Sequence, residues 1–192
     1  MSAIHEDIKA VATGLLYSLI DIRNTVVVEG DIQDEAAIPQ LWFFLTEKQG
    51  EREAQFIDPP PGHDSWESMD KDLMYSAMVL WLTANRPDYI GHVAEAWAVK
   101  GSDKSEAAQA VSWMSRGMSL KDFPGAREII TVTIQSPTYN LQLMATLPGN
   151  ELEEVVYEAF DSDHHPDFEI AGRMGEVAAV LRQPFPGSID VD

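Results

Sequence analysis

The stretch Arg86–Lys100, RPDYIGHVAEAWAVK, determines how the rest of the chain can be arranged. From Tyr89 onward its side chains alternate with the two-residue period of a β-strand, and Pro87 separates this strand from a helical pattern before it. Its two faces carry Ile90, His92, Ala94, Ala96 and Ala98 on one side and Val93, Glu95, Trp97 and Val99 on the other. A strand that is largely apolar on both faces is typical of the middle of a sheet, and the alanines favour a helix packed closely against their face.

Two further pairs of strands are predicted, one on each side of this segment in the chain. Leu41–Thr46 and Ala54–Asp58 flank a charged segment with a glycine, which indicates a β-hairpin whose second strand lies nearer the sheet edge. Arg127–Gln135 and Tyr139–Thr146 are joined by a short turn, which indicates a second antiparallel pair. The sequence therefore predicts an α+β fold, a mainly antiparallel sheet of about five strands with helices packed on one or both faces.

Apolar residues at helical spacing predict helices over 3–23, 65–84 and 105–114, and two more over 150–160 and 171–182. Asn24 is expected to end the first helix, with Val26–Val28 extended after it. Asp64 or Ser65 is expected to begin the second. No linker clearly divides the chain, so residues 1–192 are predicted to form a single domain, and a C-terminal helical appendage over 150–192 is the alternative.

The chain has 192 residues and a net charge of −19, and residues 151–192 alone contain 11 acidic and 2 basic residues. Such a chain repels phosphate, so direct nucleic-acid binding is not expected, whereas a basic protein partner is. The absence of cysteine excludes disulfides, thiolate catalysis and cysteine-ligated metals. Without a signal-like N-terminus or an apolar run long enough to span a bilayer, the expectation is a cytoplasmic protein without membrane contact. Composition leaves the oligomeric state open.

The densest group of potential metal ligands is Asp161, Asp163, His164 and His165, in the sequence DSDHHPD. Imidazole and carboxylate groups bind several divalent metals. The spacings HxH and HExxH are missing, however, and so is the glycine-centred calcium loop of an EF-hand. A divalent metal site and a solvated acidic loop are therefore the two alternatives, and no other cofactor is predicted.

Glu95 is the candidate catalytic carboxylate, because a buried acid needs a charged partner or becomes protonated. The alternatives are a structural ion pair, for which Arg127 or Arg116 would supply the positive charge, and a partly exposed position at the sheet edge. Trp113, in the long connection 101–126, is the candidate contact for a protein partner, with local packing as the alternative. The signatures of phosphate-binding loops and of the serine-hydrolase elbow are missing, so the sequence contains no recognised catalytic motif.

The segments RPD…AEAW and PGAREIITVT together resemble a family of uncharacterised bacterial and phage proteins, in which an EAW strand is followed by a PxREE-like strand. The resemblance covers residues 86–134. It departs from the family pattern at Gly125–Ala126 and at Ile129, where a second acid is expected. It implies a bacterial or phage origin and no particular activity.

These observations predict an acidic, non-enzymatic interaction or regulatory protein that binds a basic protein partner. The alternative is a metal-assisted hydrolase that uses the His164/His165 loop or Glu95. The two hypotheses differ in geometry, since the hydrolase requires these side chains to converge in one pocket.

Overall fold

Six strands form one antiparallel sheet in an α+β fold. The structure, a computed structural model, describes residues 3–28, 38, 40–48, 51–99, 104–147, 156–164 and 179–182. The strands are β1 (Leu41–Lys48), β2 (Glu51–Ile57), β3 (Ile90–Val99), β4 (Ala126–Gln135), β5 (Asn140–Thr146) and β6 (Val156–Asp161). They lie side by side in the order β2-β1-β3-β4-β5-β6. The predicted fold class is therefore confirmed, and both predicted hairpins are present, with β2 at an edge.

The strand predicted within Arg86–Lys100 is β3, which lies inside the sheet between β1 and β4. Its register pairs Glu95 with Ile130 and Trp97 with Glu128. Because side chains two positions apart share a face, Glu95 and Glu128 are diagonal neighbours on one face of the sheet. This register places two acids from different strands beside each other.

The helices are α1 (Ala3–Val28), α2 (Lys71–Asn85) and α3 (Lys104–Ser115), and short 3-10 turns lie at Trp66–Ser68, Leu120–Asp122 and Val180–Arg182. One hydrophobic cluster forms between α1 and one sheet face, where the helix contributes Ile8, Ala12, Leu16, Leu19 and Ile20. A second cluster forms around α2 on the other face, with Met74, Met78 and Leu82 packed around Trp42 and Ile90. Burying each such aliphatic side chain contributes roughly 1.5–3 kcal/mol, so both faces of the sheet are stabilised by helix packing.

Two helix boundaries differ from the prediction. α1 does not end at Asn24 but continues through Val28, because adding a residue to an existing helix costs only about 0.5 kcal/mol even for valine. α2 begins at Lys71 with Asp70 as its N-cap, and Ser65 instead caps the 3-10 turn before it. Trp66 is buried and its Nε1 donates to Ile57 O over 2.9 Å, which holds this turn against the sheet before the helix starts.

The helix predicted over 150–160 is wrong where the structure describes the chain, since Val156–Asp161 is a strand that pairs with β5. Strand alternation puts Glu158 with Phe160 on one face and Asp161 with Tyr157 on the other, so each face mixes apolar and acidic residues and no two-residue period marks the strand. Pairing with β5 satisfies backbone groups that an unpaired edge would leave open. Of the helix predicted over 171–182, only 179–182 is described.

Candidate functional site

Arg23, on α1, joins two glutamates from neighbouring strands. Its Nε donates to Glu95 Oε1 over 2.9 Å, and its Nη2 donates to Glu128 Oε2. The backbone N–H of Ile38 donates to Glu95 Oε2 over 3.1 Å. The Glu95 side chain is 5% exposed, compared with 17% for Arg23 and 30% for Glu128. The candidate catalytic carboxylate therefore lies in a structural ion pair in the interior.

The arginines predicted to pair with Glu95 lie elsewhere. Arg127 directly precedes Glu128 on β4, so strand alternation places it on the opposite face of the sheet. Arg116, just after α3, is exposed and its Nε donates to Ser112 O. Of the alternatives for Glu95, an ion pair is present, and its basic partner is Arg23 rather than Arg127 or Arg116.

Glu95 and Glu128 are coupled through one proton. Burial raises the pKa of Glu128, and its hydrogen bond to Glu95 raises it further, to about 7, although Arg23 acts in the opposite direction. Burial also acts to raise the pKa of Glu95, but hydrogen bonds from Glu128, Arg23 and the Ile38 N–H outweigh it and lower that pKa. The proton of the pair is therefore held more readily on Glu128 than on Glu95.

Two of the predicted metal ligands, Asp161 and Asp163, contact the other end of α1, and a third, His164, contacts Asp161. Asp161 is buried, and its Oδ1 accepts the backbone N–H and the ring Nδ1 of His164 at 2.9 and 2.8 Å. Lys9 Nζ lies 3.6 Å from Asp161 Oδ2. His5 Nδ1 lies 2.9 Å from Asp163 Oδ2. These contacts hold the first turns of α1 against the end of β6 and the turn that follows it.

The same contacts occupy atoms that a metal ion would need. Burial acts to raise the pKa of Asp161, but the hydrogen bonds from His164 and the charge of Lys9 outweigh it and lower the pKa. Within the described ranges, no group of three His, Asp or Glu side chains is placed to hold a metal ion. His165 lies outside those ranges. A metal in this loop stays a prediction.

The Glu95 and Asp161 clusters lie at opposite ends of one helix. Lys9 contacts Asp161 and Arg23 contacts Glu95, and the 14-residue spacing between these two bases corresponds to about 21 Å along α1. The described residues therefore do not bring Glu95 and the DSDHHPD loop into a common pocket.

Trp113 lies on α3 and packs against the segment that follows this helix. Its indole Nε1 donates to Ser119 O over 2.9 Å, and its ring meets the Phe123 ring edge-on with the centroids 5.7 Å apart. It also lines a cavity of about 380 Å³, together with Glu106 and Arg116. Local packing thus satisfies the indole N–H and covers one side of the Trp113 ring. Another part of the ring borders the cavity.

Comparison with protein-family models, curated proteins and solved structures gives no match. The resemblance over residues 86–134 accordingly stays a prediction. No helix in the described part of the chain is long and apolar enough to cross a membrane.

Arg23 and Glu128 were not predicted as site residues, although the sequence carries a signal for each. Arg23 is the only basic residue between Lys9 and Lys48, and it continues the apolar stripe of α1 one turn beyond Leu19. Glu128 belongs to the same PGAREIITVT segment that carries the family resemblance. A charged residue on an apolar stripe indicates a buried partner of opposite charge.

Exposed carboxylates concentrate in residues 47–72, which we call the acidic arm. The arm comprises the end of β1, the edge strand β2 and the connection into the first turn of α2, and it contains eight acidic and three basic residues. Seven of its acidic side chains are exposed: Glu47, Glu51, Glu53, Asp58, Asp64, Asp70 and Asp72. The C-terminal acidic quarter that the sequence singled out lies largely outside the described residues.

Proposed function

We propose that the protein is an acidic, non-enzymatic interaction protein that binds a basic protein partner through the acidic arm. The observation that supports this most directly is the set of seven exposed carboxylates on one continuous stretch of chain. Of the three bases in the arm, Lys71 is exposed and Arg52 is half-buried. A surface with one predominant sign of charge steers an oppositely charged partner and raises the rate of association.

The acidic residues inside the fold support the same proposal, because they are already paired with basic residues of this chain. Glu95 is held by Arg23, and Asp161 is held by Lys9 and His164. These interior carboxylates stabilise the docking of α1 and are not accessible to a partner. Binding to a basic protein is therefore assigned to the carboxylates at the surface.

The test compares two variants with the same change in net charge. The arm variant carries Glu51→Gln, Glu53→Gln and Asp58→Asn, and the control carries Glu6→Gln, Asp7→Asn and Asp122→Asn, which also neutralises three exposed acids. A fluorescent lysine-rich peptide is titrated with each protein at several salt concentrations. Because an exposed ion pair contributes roughly 0.2–1 kcal/mol, the arm variant should bind about threefold to a hundredfold more weakly, with the control close to wild type.

Raising the salt concentration should weaken peptide binding to the wild type, since salt screens exposed charges. It should also reduce the difference in peptide affinity between the two variants. Equal losses in both variants would show that net charge, rather than the arm, attracts the peptide. No measurable binding at low salt would contradict the proposal altogether.

A further inference from the structure

The outer edge of β2 carries main-chain groups that point away from the sheet. β2 is an edge strand, and no strand in the described residues pairs with its outer side. On the inner side, Leu45 of β1 is paired with Ala54, yet the Leu45 N–H donates to Tyr89 O on the β3 side over 3.2 Å. Since backbone groups in an antiparallel ladder alternate in direction, the N–H and C=O of Arg52, Ala54 and Phe56 point outward.

The side chains of this edge strand differ between its two faces. Glu51, Glu53 and Gln55 are exposed on one face. On the other face Arg52 is half-buried with its guanidinium over the Tyr89 ring, Ala54 packs beside the cluster under α1, and Phe56 remains 51% exposed. A strand added at this edge would place alternate side chains beside carboxylates and beside an exposed aromatic ring.

We propose that the β2 edge binds an extended segment of the basic partner in which lysine or arginine alternates with apolar residues, adding a seventh strand to the sheet. This inference rests on the proposed function and specifies its mode. A second copy of this chain is a poor occupant, because two β2 strands would bring glutamates of the same charge together.

The probe is the peptide Lys-Val-Lys-Val-Lys-Val-Lys, and its control is Lys-Lys-Lys-Lys-Val-Val-Val, which has the same composition and charge without the alternation. Binding is measured by fluorescence anisotropy, and amide hydrogen exchange is followed by NMR. The alternating peptide should bind at least tenfold more tightly than the control. It should also slow exchange of the outward amides of Arg52, Ala54 and Phe56 severalfold.

Ala54→Pro removes an outward N–H and leaves the ladder with β1 intact, because proline is tolerated at an edge where its nitrogen faces outward. It should weaken binding of the alternating peptide about tenfold, and Ala54→Val, which keeps the N–H, should not. If Ala54→Pro proves misfolded by circular dichroism, slowed exchange at the three outward amides of the wild type decides the question.

The possible failures are distinguishable. Equal affinity for both peptides with unchanged exchange at Arg52, Ala54 and Phe56 would overturn strand addition and leave the basic-partner proposal standing. Absence of binding by either peptide at low salt would overturn both proposals.

Discussion

The ring of Phe43 lies directly across Gly91 on the neighbouring strand, so that a Cβ added at residue 91 would stand 2.1 Å from Phe43 Cζ. The two residues are paired in the register of β1 and β3, and both are buried. Phe43 belongs to the cluster under α1, so its ring cannot move aside without disturbing that packing. The absence of a side chain at residue 91 is what allows the ring to fill this space.

Gly91→Ala should therefore lower the free energy of unfolding by about 1–3 kcal/mol, the range for overpacking a well-filled core. Urea denaturation monitored by tryptophan fluorescence measures it. The matched control is Gly14→Ala in α1, where an added Cβ meets nothing within 4 Å. That change should raise stability by about 0.5–1 kcal/mol, because alanine is the better helix former. If Gly91→Ala left the free energy of unfolding unchanged, the Phe43 ring would have to move aside without cost.

Neutralising the two coupled glutamates should have unequal effects at pH 7. Glu95→Gln removes the buried charge that Arg23 pairs with, and should cost about 3 kcal/mol of unfolding free energy. Glu128→Gln resembles the protonated side chain and can still donate to Glu95, so its cost should stay below about 1 kcal/mol. Urea denaturation of both variants provides the comparison. Equal losses would contradict the assignment of the proton to Glu128.

The stability difference between wild type and Glu128→Gln should depend on pH. The pKa of Glu128 is raised from 4.5 to about 7 in the folded state, so the folded state binds more protons than the unfolded state between these values. The stabilisation is complete below 4.5 and is lost as pH rises through 7. Wild type should thus lose about 1 kcal/mol relative to Glu128→Gln across this range, a modest value because water partly screens Glu128. A difference that is flat with pH would contradict this.

His92 should give the opposite dependence on pH. It is buried beside Trp42, with the ring centroids 4.6 Å apart, and burial lowers its pKa from 6.5 to about 4. The stability due to its neutral ring is present above 6.5 and is lost as pH falls towards 4, where the loss reaches about 3 kcal/mol. His92→Phe should remove this acid sensitivity. Thermal unfolding of both proteins between pH 4 and pH 7 would reveal it, and parallel curves would rule it out.

Asp161 and Asp163 should differ in their contribution to stability. Asp161→Ala leaves the His164 N–H and Lys9 without their buried acceptor, and should cost about 2–3 kcal/mol. Asp163→Ala removes only an exposed contact with His5 and should cost less than about 1 kcal/mol.

Metal should have little effect on the described part of this loop, because His164 Nδ1 and the carboxylates of Asp161 and Asp163 are already engaged. Adding Zn²⁺ or EDTA is expected to leave the midpoint of thermal unfolding unchanged. A clear rise with Zn²⁺ that disappears in Asp161→Ala would instead favour the metal-dependent alternative.

The strands of the sheet centre were predictable because β3, β4 and β5 are long and alternate consistently. The segment Val156–Asp161 was not, because its six residues do not alternate in hydrophobicity and its pairing with β5 is not visible in the sequence. Likewise the β-branched residues Val26–Val28 favour an extended backbone, but they continue an existing helix instead.

In the candidate site, the apolar neighbours of Glu95 in the sequence were enough to predict that it needs a positively charged partner. The identity of that partner could not be predicted, because Arg23 is 72 residues away in the chain and periodicity carries no information on which elements meet. His5 and Asp163 are 158 residues apart in the chain, so their contact could not be predicted from the sequence either.

The anchoring of α1 at both ends has a consequence for synthesis on the ribosome. The helix is translated first, but its contacts at Glu128 and Asp161 are translated more than a hundred residues later. At about 5–20 residues per second, its apolar stripe waits roughly 8–30 s for the strands that will cover it. During that interval the nascent chain exposes the apolar stripe of an amphipathic helix that has no sheet to pack against.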